Sequence, residues 1–149
     1  MRDLYCTYEY MESDLGHWSY KGPGVDITNM VGFVYVITNK LTNKKYVGKK
    51  LLQNKKRRNP LKGRINARRY QVESDWKEYC GSSPALNDYI LKNGESDFVF
   101  EILSFQPSKL LLAYYETKEI IDRNAIFSND YYNEVLNCRF RNRKLTTNL

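Results

Sequence analysis

The chain has 149 residues, enough for one domain with a core that needs no staples, and its 42% hydrophobic and 28% charged residues exclude a disordered or collagen-like polymer. A formal net charge of +7 favours polyanionic partners, because neutralising phosphates releases their condensed counterions. No apolar run approaches the roughly 18 to 20 residues that span a bilayer, and Asp3, Glu9 and Glu12 stand where a signal peptide would be apolar, so a cytoplasmic protein without a membrane partner is expected.

Residues 1–30 contain Gly16, Gly22, Pro23 and Gly24 with little periodicity and read as an irregular N-terminal arm ahead of a folded domain over 31–149. The β-branched and aromatic run Phe33-Val34-Tyr35-Val36-Ile37-Thr38 ends at Asn39-Lys40 and resumes at Lys45-Tyr46-Val47, which predicts a β-hairpin. Between Lys49 and Arg69 stand ten Lys or Arg residues and no Asp or Glu. Pro60 and Gly63 interrupt that stretch, so a short helix before Pro60 and a basic loop after it are expected. Ser83-Pro84 opens a helix that Asn93-Gly94 closes, with serine as N-cap, proline in the first turn and glycine at the end. Phe98 to Leu103 reads as a buried strand, Pro107-Ser108 opens a second helix running to about Arg123, and Tyr131 to Leu136 starts a last short element. Cys6, Cys80 and Cys138 are odd in number and show none of the paired spacings of a zinc site or disulfide framework, so they read as free thiols in a reducing compartment.

In the second helix Leu112, Glu116 and Ile120 fall at i, i+4 and i+8, so Glu116 leans toward the apolar face. A carboxylate there must be paired, hydrogen-bonded or coordinated to a cation. Helical position alone favours a structural ion pair with a basic residue of the hairpin or loop. Tyr35 and Tyr46 stand on the two arms of the hairpin, and a direct or diagonal register would set both phenols on one sheet face; their plain role is that of strand tyrosines. The basic stretch alone is equally a solvated loop and a phosphate-binding surface.

Phe33-Val34-Tyr35, ten intervening residues and Tyr46-Val47-Gly48 resemble the paired tripeptides of the GIY-YIG nuclease superfamily, with Phe33 and Val47 as substitutions. Ser74-Asp75-Trp76-Lys77-Glu78-Tyr79-Cys80-Gly81-Ser82-Ser83 resembles a block common in phage-type members, and Leu86, Lys92-Asn93-Gly94, Phe98 and Glu101-Ile102-Leu103 continue the similarity in order. The resemblance covers about Val31 to Asn133. It implies an α/β chain of the α+β kind, with a small three-stranded antiparallel sheet flanked by helices. It further implies a phage-encoded enzyme acting on DNA in the host cell with one Mg²⁺ or Mn²⁺ ion.

The same resemblance assigns Tyr35 or Tyr46 to the attacking water, Glu116 to the metal and an arginine after the second tripeptide to the transition state. Asn133 resembles the polar residue that closes the site. Where homing-type members carry that arginine this chain has Lys56, so Arg57 is its substitute, with Arg58 and Arg64 behind it. Lys49, next to Gly48, is placed to favour a tyrosine phenolate. Gly48 lets the backbone approach a phosphate or adopt a special φ, or is a plain turn glycine. Lys50, Lys55, Lys56, Arg58, Arg64, Arg68 and Arg69 are the expected DNA contacts. A non-catalytic nucleic-acid-binding module accounts for the charge equally well but leaves Glu116 and the ordered motifs unexplained. No zinc finger or helix-turn-helix is apparent, so target choice falls to the basic loop, the N-terminal arm or a homodimer.

Overall fold

Gly32–Asn39 (β2) is buried on both faces because its run Phe33-Val34-Tyr35-Val36-Ile37 has apolar or aromatic side chains in both directions, the pattern of a central strand. The computed structural model describes residues 14–141 and puts β2 between Lys45–Leu51 (β3) and Phe98–Gln106 (β6), both antiparallel to it. This is the expected three-stranded antiparallel sheet. A two-residue strand, Ser19–Tyr20 (β1), adds to it in parallel beside β6, giving the order β1-β6-β2-β3. Residues 18–30, read from sequence as part of an irregular arm, thus contribute a strand and the buried Trp18.

The β2–β3 turn follows from Asn39, whose side-chain oxygen accepts from the Leu41 and Thr42 amides, and from Asn43, whose φ of 56° asparagine tolerates. Helix α1, Pro84–Asn93, has the expected Ser83 cap, and Gly94 ends it at φ 85°. Helix α2, Lys109–Asp122, starts at the Ser108 cap. Its buried Leu112 and Ile120 pack on Val34, Val36 and Val47 on one face of the sheet. The opposite face is aromatic, with Trp18, Phe33, Tyr35, Trp76, Phe98 and Phe100 gathered into the larger core. Each such side chain contributes about 1.5–3 kcal/mol on full burial.

Two expectations need correction. The basic stretch forms no helix: Gln53–Arg58 (β4) pairs antiparallel with Arg68–Glu73 (β5) as a separate ribbon. The strand pairing has packing that an isolated basic helix would lack: Tyr70 and Val72 on β5 are half-buried, and the Arg58 guanidinium lies 4.5 Å from the centre of the Tyr70 ring. Pro60 and Gly63 lie in the connecting loop. The ribbon is rooted at the buried Leu52, whose N–H donates to the Val31 carbonyl at 3.0 Å and whose carbonyl accepts from the Ser74 N–H at 2.9 Å. The last short element is also absent: Tyr131 makes an isolated bridge to Lys45 and no helix or strand follows among the described residues.

Cys80 and Cys138 are free thiols, while Cys6 lies outside the described residues. No helix among the described residues is long and apolar enough to cross a membrane.

Candidate active site

Strand alternation sends Tyr35 and Tyr46 to the aromatic face of the sheet and Val47 and Lys49 to the face covered by α2. In the register Tyr35 opposes Gly48 and Ile37 opposes Tyr46, so the two tyrosines are diagonal neighbours with ring centroids 6.2 Å apart. Glu116 comes from α2, on the other side of the sheet from the phenols. The two groups meet only around β3, the outer strand of the sheet.

There a cleft of about 310 Å³ is lined by Tyr46, Lys49, Ser82, Glu116, Asn133 and Glu134, among others. Lys49 donates to the Glu116 carboxylate as an ion pair, with side chains 40% and 20% exposed. The Tyr46 hydroxyl shares a 2.8 Å hydrogen bond with Ser82 Oγ. Burial raises the Tyr46 phenol above the usual tyrosine range; the Ser82 bond opposes that shift, and Tyr79 and Glu116 add to it. Lys49 is therefore engaged with the carboxylate instead of stabilising a phenolate, contrary to the expectation from sequence.

Tyr35 lies behind this cleft. Only 1% exposed, it is held well above the ordinary tyrosine range by burial first, then by Tyr46, Tyr79 and Glu116. Its ring lies across Gly48, where a Cβ would stand 2.5 Å from the Tyr35 hydroxyl oxygen. Gly48 has no positive φ and is itself buried, so its missing side chain is the space the phenol fills rather than an approach for phosphate.

Asn133 is 7% exposed and serves the edge of β3 from outside. Its Oδ1 accepts from the Val47 N–H at 3.0 Å and its Nδ2 donates to the Val47 carbonyl at 2.8 Å, so one side chain replaces a strand pairing. With Tyr132 N–H donating to Lys45 O at 2.7 Å, this segment closes the edge and carries Glu134 to the cleft.

The remaining basic residues divide. Lys50 pairs with Asp75 at 2.7 Å and its ammonium sits 3.6 Å from the centre of the Tyr79 ring, so its charge is spent locally. Arg57, the expected stand-in for the catalytic arginine, projects from the ribbon and does not line the cleft. Lys55, Lys56, Arg58, Arg68 and Arg69 are exposed on the same ribbon, and Arg64 is exposed in its loop. The convergence expected from sequence thus joins Tyr46, Lys49 and Glu116, and leaves Tyr35 and Arg57 out. Sequence reasoning passed over Ser82, which stands inside the Ser74–Ser83 block one residue before the helix cap.

A family model described as "Putative endonuclease segE, GIY-YIG domain" matches residues 18–136. No curated protein and no solved structure matches.

Proposed function

Because the chain belongs to the SegE-type GIY-YIG endonuclease domain family, we propose that it is a DNA endonuclease that hydrolyses phosphodiester bonds in the cleft at the β3 edge with Mg²⁺ or Mn²⁺. One observation carries this reading: Tyr46 of the second signature tripeptide and Lys49 beside it share a single cleft with Glu116, although Tyr46 comes from the opposite face of the sheet to Lys49 and Glu116.

The donor set fits a hard divalent ion. Magnesium keeps several waters and is held by one or two carboxylates together with substrate phosphate, and here one half-buried carboxylate faces a cleft roomy enough for a hydrated ion. Bound at Glu116, the ion would supply Lewis-acid relief of charge on the phosphate and its leaving oxygen. Lys49 would then be released from the carboxylate to the phosphate or to Tyr46. At neutral pH the Tyr46 phenol is protonated, so it orients the attacking water through its oxygen and accepts a proton only with a cation beside it. Tyr35, Gly48 and Asn133 support these groups by packing and by fixing β3.

Substrate binding falls to the ribbon. Arg57 opposes Arg69 and Arg58 opposes Arg68, and like charges directly opposite destabilise a strand pair. Their placement makes sense for an external polyanion, and a two-stranded ribbon has the width to enter the DNA major groove.

The test is Glu116→Gln, with metal-dependent nicking of plasmid DNA, DNA affinity and thermal stability measured on one preparation. A partly exposed ion pair is worth about 0–1 kcal/mol, so stability should hardly move. Losing the metal ligand should remove several kcal/mol of transition-state stabilisation, at least about a hundredfold in rate. A destabilised variant with full cleavage per molecule would make Glu116 merely the partner of Lys49.

A further inference from the structure

On the aromatic face of the sheet, away from α2, three side chains of different chemistry meet. His17 precedes β1, Cys80 lies in the loop before α1, and Glu95 follows the helix end. Their donor atoms all lie within 4.8 Å of one another. Glu95 bridges the other two: its Oε2 is 3.5 Å from His17 Nδ1, and its Oε1 accepts from the Cys80 thiol at 3.3 Å.

The histidine is held in one pose. Its ring stacks on Phe100 with centroids 3.9 Å apart, and Nε2 lies 3.1 Å from the Tyr79 carbonyl oxygen. A carbonyl only accepts, so Nε2 carries the hydrogen and in the neutral ring Nδ1 presents its lone pair toward the carboxylate. Two electron-rich atoms facing each other need a proton or a cation between them. An imidazole whose other N–H is fixed on a backbone carbonyl is the arrangement that orients metal-bound histidines.

We propose that His17 Nδ1, Cys80 Sγ and Glu95 form a three-ligand site for Zn²⁺ or a similar transition-metal ion, completed by water. Metal–ligand lengths of about 2.0–2.3 Å give a tetrahedron with edges of about 3.3–3.8 Å. The 3.3 and 3.5 Å separations, which end on different oxygens of Glu95, lie in that range, and the three donors need close by no more than about an ångström from their 4.8 Å limit. One thiolate, one carboxylate and one neutral imidazole leave a divalent ion with no net charge. The sulfur donor selects against Mg²⁺, so this site is chemically distinct from the one proposed at Glu116. Its effect is to fasten the segment leading into β1 to the loop that holds Ser82 against Tyr46.

The experiment titrates chelator-stripped full chain with Co²⁺ as a spectroscopic probe. One equivalent should bind with a sulfur-to-cobalt charge-transfer band and tetrahedral visible bands, displaced by Zn²⁺ and indifferent to Mg²⁺. Zn²⁺ at a hundredfold over its Kd should raise Tm by on the order of 5–10 °C. Cys80→Ser should remove the charge-transfer band. Glu95→Gln, at an exposed position that the fold does not need, should weaken binding at least about tenfold while leaving the circular dichroism of the metal-free protein unchanged. A band that survives Cys80→Ser belongs to the other thiols and overturns the proposal. So does a Glu95→Gln chain that binds as tightly as the parent, or a Tm that Zn²⁺ leaves unmoved, outcomes that would reduce the trio to an imidazolium–carboxylate pair with a thiol beside it.

Discussion

Replacing Gly48 by alanine tests the packing on which the cleft rests. The new Cβ would lie 2.5 Å from the Tyr35 hydroxyl oxygen, 2.7 Å from its Cζ and 3.1 Å from a Tyr46 ring carbon. Tyr35 has little room to retreat, with Trp18 at 4.9 Å and Tyr46 and Tyr79 at 6.2 Å between ring centroids. Overpacking of this kind costs about 1–3 kcal/mol, while the lower chain entropy of unfolded alanine recovers roughly 0.5–1 kcal/mol. The net destabilisation is about 1–2 kcal/mol, or about 2–8 °C in Tm for a domain of this size. Calorimetry on Gly48→Ala, Tyr35→Phe and the double variant measures it. Because the hydroxyl oxygen is the nearest atom, the double variant should be more stable than the sum of the single effects by at least about 0.5 kcal/mol. A Gly48→Ala protein as stable as its parent would refute the packing argument and return this glycine to the phosphate backbone.

Neutralising Lys55, Lys56 and Arg58 together should weaken DNA binding across sequences and lower the log–log salt slope by about 0.9 for each lost phosphate contact; an unchanged slope would show that the ribbon does not touch the backbone. Asn133→Ala leaves the Val47 N–H and carbonyl without their partner, which should cost about 1–3 kcal/mol and speed amide exchange at Val47, and unaltered exchange there would count against the edge-closing role. Tyr35 is protonated to higher pH in the folded chain than in the unfolded one, so above pH 10 the unfolded state binds fewer protons. Stability should therefore be intact below about pH 10 and fall as pH rises beyond it, by up to about 1.4 kcal/mol per pH unit, with Tyr35→Phe flattening the fall. A decline equally steep in that variant would assign it to other groups.

What could be read from sequence was what local chemistry decides. The Ser83-Pro84 and Ser108 caps and the Gly94 stop are set within a turn of the chain, and both helices stand where they predict. The β2–β3 hairpin is likewise local, because the Asn39 turn fixes the register that makes Tyr35 and Tyr46 diagonal partners. The ribbon was hidden because its basic residues favour a helix by propensity and show no apolar alternation. Its partner strand, with half-buried Tyr70 and Val72, lies beyond a loop. Spacing after the second tripeptide points to Arg57, and spacing does not tell that a strand of the ribbon carries it away from the cleft. In the site, the motif pointed to Tyr46 and Glu116 but could not tell a buried phenol from an accessible one, because both signature tyrosines share one sheet face and only the diagonal tucks Tyr35 behind its neighbour. His17, Cys80 and Glu95 have no spacing that signals a cluster; the pairing of β1 with β6 brings the first of them in.

The single residue between β3 and β4 gives the proposed enzyme a ruler. Leu52, clamped to Val31 and Ser74, leaves no flexible tether between the strand bearing Tyr46 and Lys49 and the strand bearing Lys55 to Arg58. Six residues of β4 reach about 20 Å, the length of roughly six nucleotides along one strand. On the proposed reading, a grip rooted so close to the chemistry would fix the scissile bond within a short, constant distance of the bound phosphates. Cutting far from the contacted sequence, as a nuclease joined to its reader by a long linker can do, is not open to this ribbon.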